Sequence, residues 1–230
     1  MKEAVILAGG FGTRLRHVVS DVPKPMAPIG ERPFLEILID YLATFGYDHI
    51  VLSTGYLHEK IEQHFGCEYK GIRISYAQET TPLGTGGGIL NALQHCQNET
   101  VTVLNGDTMF KVDYSALEQF HQQNGTMLSI FLRQVDDTSR YGSVEIDNSH
   151  RIIRFAEKSE SQGQGWINGG IYRMDKALFD GYQVGDTFSF EKDIMQANYQ
   201  SKSLFALPSS SYFIDIGVPD DYFRAQKELI

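Results

Sequence analysis

Residues 4–8 read Ala-Val-Ile-Leu-Ala, and this apolar run of strand length passes without a spacer into Gly9-Gly10-Phe11-Gly12-Thr13-Arg14-Leu15. A short apolar run bounded by glycines reads as a buried strand. It therefore delivers a glycine loop that carries one arginine. Glycines lack Cβ, so the loop N–H groups can approach an anion closely. Lys24 follows between Pro23 and Pro25, whose rings leave the backbone little freedom. The simplest reading is a loop that grips a polyphosphate. It is not a dinucleotide fingerprint, because Leu15 stands where the third glycine of GxGxxG belongs. It is not a P-loop either, since no GK[ST] follows at the required spacing.

A chain of 230 residues supplies ample length for a core. The net charge of −9 argues against nucleic-acid or anionic-membrane partners, because neither is attracted to such a surface. Acidic groups are instead suited to hold a divalent cation. Cys67 and Cys96 have no CxxC partner and read as reduced thiols that serve packing. The N-terminal apolar run ends in Gly-Gly and is too short for a signal peptide. No apolar run is long enough to span a bilayer. The expectation is a cytoplasmic protein.

The first half alternates strands and helices. Residues 34–45 place apolar side chains at 34, 35, 38, 42 and 45, the spacing of a helix, with Gly46 as its stop. Strands are expected at 50–52, 72–77 and 101–104, and helices at 59–65 and 86–96. This order implies a parallel sheet with helices on both faces. Ligands of such sheets bind at the carboxyl ends of the strands, where residues 9–25, 78–88 and 105–108 converge. Later residues predict a helix at 116–123 and a strand at 127–132. Short strands at 143–146, 152–155, 167–173 and 205–207 then suggest a smaller mixed β region laid against the first sheet. Residues 159–165 read as a mobile loop, 191–199 as a helix, 213–216 as a strand, and Pro219 as the start of a C-terminal helix.

Taken together, LAGGFGTRL at 7–15, PKPM at 23–26, PLGTGGG at 82–88, LNGD at 104–107, YGSV at 141–144, EK at 157–158, INGGIY at 167–172 and IDIG at 214–217 resemble the sugar-1-phosphate nucleotidyltransferases. The resemblance runs over almost the full chain. It implies an α/β fold with a Rossmann-like, mostly parallel (mixed) sheet flanked by helices and a small mixed β sugar-binding region. It implies one domain over 1–230, with 1–110 mainly for nucleotide and 111–230 mainly for sugar phosphate. The implied reaction joins a nucleoside triphosphate to a sugar 1-phosphate and releases pyrophosphate.

By this resemblance Arg14 and Lys24 are catalytic, Arg14 holding the triphosphate and Lys24 stabilising charge on the α-phosphate. Leu7, Ala8, Gly9, Gly10, Gly12, Thr13, Glu79, Gly84, Thr85, Asn105 and Gly106 bind nucleotide. Gly142, Glu157, Lys158, Asn168 and Gly169 bind the sugar phosphate. Asp107 and Asp215 hold Mg²⁺, a hard cation that prefers carboxylate and phosphate oxygens. A carboxylate inside Tyr-Phe-Ile-Asp-Ile is costly to bury without a partner, and a metal is a good one.

Glu79 stands where relatives that bind uracil or thymine commonly carry glutamine. A carboxylate accepts from guanine N1–H and N2–H₂ together, so this position leans towards GTP. Within the family the chain is most similar to the enzymes that transfer guanylyl to D-glycero-α-D-manno-heptose 1-phosphate, on VPKPMAPIGERPFLE at 22–36, FSFEKD at 188–193 and YFIDIGVPDDY at 212–222. Mannose 1-phosphate with GTP, or another sugar with UTP or CTP, stays open at this stage, as does a catalytically silent nucleotide-sugar sensor. The oligomeric state is open, a homodimer included. His17, Trp166, Phe190 and Glu191 carry no assigned role; for Glu191 the simplest reading is placement at a helix start.

Overall fold

A computed structural model describes the chain except for Phe11, Thr13, Arg16, Arg140, residues 157–162 and Ile230. The element order begins β1 (Glu3–Leu7), the short strands β2 (Pro28–Ile29) and β3 (Arg32–Pro33), α1 (Phe34–Ala43), β4 (His49–Thr54) and α2 (His58–Phe65). It continues β5 (Glu68–Tyr69), β6 (Ile72–Gln78), α3 (Gly84–Leu93), β7 (Thr100–Asn105), β8 (Thr108–Phe110), α4 (Tyr114–Asn124) and β9 (Leu128–Val135). The chain closes with β10 (Ser143–Ile146), β11 (Ile152–Ala156), β12 (Gly165–Asp175), β13 (Leu204–Ser209), β14 (Phe213–Asp215) and α5 (Pro219–Glu228).

Eight strands form one sheet in the order β13-β9-β12-β7-β1-β4-β6-β5. β7, β1, β4 and β6 run parallel, and β12 lies antiparallel between β7 and β9. β1 is central, and its residues alternate between two cores. Ala4 and Ile6 meet Phe34, Leu38 and Leu42 of α1, while Val5 faces the cluster that holds Ile89, Ala92 and Leu93 of α3. A strand covered on both faces has no polar side to present, which is why its sequence reads as an unbroken apolar run.

The second half departs from expectation. Strands near 167–173 and 205–207 were expected in a separate β region, but β12 and β13 join the main sheet. Only the β10–β11 hairpin stands apart, with β8–β14 and β2–β3 as further two-stranded pairs. The physical reason is burial. Ile167, Ile171, Tyr172 and Met174 of β12 are all buried, so neither face is left for solvent. The expected helix at 191–199 is a π-helical segment, Phe190–Gln196, capped by the Ser189 hydroxyl accepting from Lys192 N. The expected loop at 159–165 lies outside the described residues through 162, and Gly165 already starts β12. Of the two free thiols, Cys96 is buried as expected for packing, but Cys67 is exposed. Among the described residues no helix is long and apolar enough to cross a membrane.

Candidate active site

The carboxyl ends of β1, β4, β6 and β7 open onto one cleft. Part of it, about 210 Å³, is lined by Leu7, Gly9, Gly10, Glu79, Pro82, Gly84 and Thr85. An adjoining part of about 210 Å³ shares Leu7, Gly10 and Thr85 and adds Lys24, Pro25, Asn105, Asp107 and Glu191. The three loops expected to converge do so here.

Local packing explains the glycines. Gly106 donates its N–H to Leu7 O at 2.9 Å, and a Cβ there would lie 2.6 Å from that oxygen. β7 can therefore turn beside β1 only without a side chain at this position. Gly84 has a φ of +71°, and a Cβ on it would stand 2.5 Å from Phe188 O. Cβ atoms at Gly86 and Gly87 would collide with the Phe188 ring and with Asp186 O. The N-terminal turn of α3 thus lies flat against residues 186–190. Phe190 N donates to the Thr85 hydroxyl at 2.9 Å, and that hydroxyl donates to Glu191 Oε2 at 2.6 Å.

Glu79 faces this cleft with both oxygens engaged. Oε2 accepts from Leu83 N at 3.0 Å and Oε1 from the Ser53 hydroxyl at 3.2 Å. A Cβ at Gly88 would come within 2.8 Å of Oε1, so the carboxylate occupies the room that glycine vacates. Each carboxylate oxygen keeps further acceptor capacity.

At the end of the cleft, Lys24 meets two carboxylates. Lys24 opens the 3-10 turn Lys24–Met26, with Pro25 next to it. Its ammonium donates to Asp107 Oδ2 and lies 3.6 Å from Asp215 Oδ1. The side chain is only 10% exposed. Asp107 follows β7 in the turn to β8. The antiparallel β8–β14 pair sets Asp215 opposite Thr108, and Ile216 N donates to Asp107 O at 3.0 Å. A two-strand ladder therefore joins two acids distant in sequence. Gly217 N donates to Asp215 Oδ1 at 2.7 Å.

Burial raises the pKa of Asp215 above the ordinary carboxylate value, and the Asp107 charge raises it further. Lys24, the Gly217 N–H and the exposed Arg14 act in the opposite direction. One ammonium against two carboxylates leaves negative charge in a half-buried place. That is the chemistry of a cation site. Among the described residues no three His, Cys, Asp or Glu side chains converge into an all-protein cage. A carboxylate pair suits a hard cation of the Mg²⁺ kind, which keeps waters and takes its other ligands from phosphates.

The remaining expected residues fall as follows. Ala8 is buried and donates its N–H to Ser53 O at 2.8 Å. Gly12 has a φ of +58° and packs over Lys24, whose Cβ would be 3.0 Å from a Cβ at residue 12. Thr13, Glu157 and Lys158 lie outside the described residues. Asn168 donates to the Tyr172 hydroxyl at 2.8 Å and accepts from Gly170 N at 2.9 Å, so its amide holds the irregularity of β12. Gly169 packs on Phe110, and Gly142 is a buried turn glycine with a φ of +78°. None of these three lines the cleft.

On the other side of the Lys24 cluster, Asp215 also lines a larger cavity of about 450 Å³, with Arg133, Gln134, Tyr141 and Phe213 among its walls. For Glu191 the sequence offered helix-start placement as a simpler reading than a part in a sugar pocket, and it gave no sign of this cavity. An acidic residue just after a capping serine looks like ordinary helix-start chemistry, and only the bond to Thr85 ties Glu191 to the cleft.

A glycine loop, a lysine–carboxylate cluster and a second cavity on one mixed sheet define a nucleotide-transfer architecture. The nucleotidyl transferase family model matches residues 3–230, and the chain belongs to that family. The chain is 46% identical over 227 residues to the D-glycero-alpha-D-manno-heptose 1-phosphate guanylyltransferase of Aneurinibacillus thermoaerophilus, covering 99% of this chain and 98% of that one. It is 43% identical over 222 residues to the protein of the same name from Campylobacter jejuni, covering 96% and 97%. The crystal structure of HddC from Yersinia pseudotuberculosis complexed with GMP-PN superposes with a TM-score of 0.88 at 37% identity, covering both chains fully.

Proposed function

We propose that the protein is a Mg²⁺-dependent guanylyltransferase that converts GTP and D-glycero-α-D-manno-heptose 1-phosphate into GDP-heptose and pyrophosphate. The observation that carries this reading is the Lys24–Asp107–Asp215 cluster, set where the nucleotide cleft meets the larger cavity. Nearly full-length identity to two heptose 1-phosphate guanylyltransferases supports the sugar, and the GMP-PN complex of HddC supports a guanine nucleotide. The protein acts as one domain in the cytoplasm.

An oxygen of the sugar phosphate attacks the α-phosphorus in line; the new P–O bond forms as the bond to the β-phosphate oxygen breaks, and pyrophosphate carries the electron pair away. Both reactants are anions, so the protein positions them and offsets charge. Arg14 holds the departing pyrophosphate, Lys24 faces the α-phosphate, and Lys158 anchors the sugar phosphate. Glu157, Gly142, Asn168 and Gly169 shape the sugar side. Glu79 receives guanine N1–H and N2–H₂ on its spare acceptor positions. Asp107 and Asp215 would hold Mg²⁺, which would supply neutralisation of the phosphate charge.

Pyrophosphate release across four nucleotides and several sugar 1-phosphates, with and without Mg²⁺, tests this reading. GTP with heptose 1-phosphate is expected to give the highest kcat/KM. No turnover with any pair refutes an enzymatic role, and a higher value for mannose 1-phosphate refutes the sugar.

A further inference from the structure

The 450 Å³ cavity beyond Asp215 lies within the range of small-molecule sites, roughly 300–1,000 Å³. Its walls come from the end of β9, the residues before β12, the 210 loop and α5. Arg133, Gln134, Asp136, Gln164 and Ser210 are among its lining residues, and none of their side chains has a hydrogen bond or ion pair with a described residue. Arg224 on the same rim is paired with Asp221 and Glu228, and Glu79 in the nucleotide cleft has both oxygens engaged. Arg133 and Gln134 are half-buried, whereas Asp136, Gln164 and Ser210 are exposed. As neighbours in β9 the two project to opposite faces of the sheet, Arg133 on the face of Phe131, whose core cluster Phe213 packs against. Phe213, also half-buried, adds an apolar wall next to Asp215 in β14.

A concentration of unpartnered neutral and charged hydrogen-bonding groups beside one aromatic face suits a polyol. The cavity touches the transfer cluster through Asp215 alone, opposite the nucleotide cleft, so its occupant belongs to the second substrate. A heptopyranose 1-phosphate differs from a hexose 1-phosphate by its tail, a C6–C7 diol on ring carbon C5 in place of a single CH₂OH. The tail extends outward from the ring and needs partners that the phosphate cluster does not supply.

We propose that this cavity receives the C6–C7 diol of the sugar, with Arg133 as the residue that selects a heptose over a hexose. Arg133 donates to the C6 or C7 hydroxyl. This rests on the heptose reading given above. A site built to hydrogen-bond a hydroxyl leaves its polar groups unsatisfied when that hydroxyl is missing, which penalises the shorter sugar.

The test measures kcat/KM for heptose 1-phosphate and mannose 1-phosphate, at saturating GTP, in wild type, Arg133→Leu, Arg133→Lys and Gln134→Leu. Arg133→Leu is expected to lower the heptose-to-mannose ratio of kcat/KM by about 10- to 100-fold, the range for a lost hydrogen bond to a charged donor, with most of the change in the KM for heptose 1-phosphate. Arg133→Lys should restore part of the ratio, and Gln134→Leu, on the opposite face of β9, should leave it unchanged. Equal losses on both sugars in Arg133→Leu, in a wild type that uses heptose 1-phosphate, overturn this proposal and leave the substrate reading intact. A wild type that turns over mannose 1-phosphate but not heptose 1-phosphate overturns both. The KM for GTP, measured in each variant, reports whether the nucleotide cleft is preserved.

Discussion

A Cβ placed on Gly217 would lie 2.8 Å from the Lys24 ammonium and 2.8 Å from Asp215 Oδ1. The backbone after β14 therefore leaves its side-chain space to the cation–carboxylate contact. Gly217 has no unusual φ, so alanine fits the backbone there and collides only with the functional groups. Gly217→Ala is expected to cut turnover by about 10²-fold or more, the scale for displacing one electrostatic group at a reacting centre. A steady-state pyrophosphate assay with a thermal melt checks this; unchanged turnover would show that Lys24 and Asp215 work without their present contact.

Asp107→Asn keeps the shape of the turn after β7 and removes one carboxylate from the cluster. Turnover should fall by about 10²–10³-fold while the melting temperature stays near that of wild type. The Mg²⁺ concentration giving half-maximal rate should rise as well. A rate within a few-fold of wild type would remove Asp107 from the cation site.

Glu79→Gln keeps one carbonyl oxygen for the Leu83 N–H but loses an acceptor at the guanine edge. The ratio of kcat/KM for GTP over UTP should drop by about tenfold, the worth of one good hydrogen bond to a charged group. An unchanged ratio would confine Glu79 to positioning the 79–88 loop.

Glu3 provides a pH-dependent stability test away from the cleft. Burial alone would raise its pKa, but the N–H groups of Asn98 and Gln97 and the ring of His49 outweigh it, leaving the carboxyl below its ordinary value. A lowered folded-state value stabilises the fold above the ordinary carboxylate range, and this stabilisation fades as pH falls through the lowered value. Glu3→Gln should cost about 1–3 kcal/mol at neutral pH, the penalty for leaving buried donors poorly satisfied. The difference in melting temperature from wild type should then shrink on acidification, as calorimetry from pH 7 to pH 3 would show. A constant gap would mean that the ionised form contributes nothing.

The legible parts of this fold share one property: their signal is local. β1 announces itself because a strand covered by α1 and α3 is apolar at every position. The Gly9–Gly12 and Lys24 stretch is legible because close backbone approach and a restrained cation leave a compositional trace. The place of β12 and β13 in the main sheet was not legible, since a strand's pattern reports which faces are covered and not which neighbour it pairs with. The larger cavity was hidden for a related reason. Arg133, Gln164 and Ser210 are scattered over three segments, and each alone looks like a solvated residue. Asn168 shows a different limit. Its motif was visible, but only the bonds to Tyr172 and Gly170 reveal that its amide is engaged within β12.

The β8–β14 ladder gives the chain a built-in order of assembly. The chain through the turn after β7 contains the glycine loop, Lys24 and Asp107, and so a single carboxylate of the pair. The second acid arrives with β14 and is seated by pairing with a strand made about a hundred residues earlier, a late, non-local step of the kind that slows folding. The acid pair is therefore complete only once β14 has paired with β8.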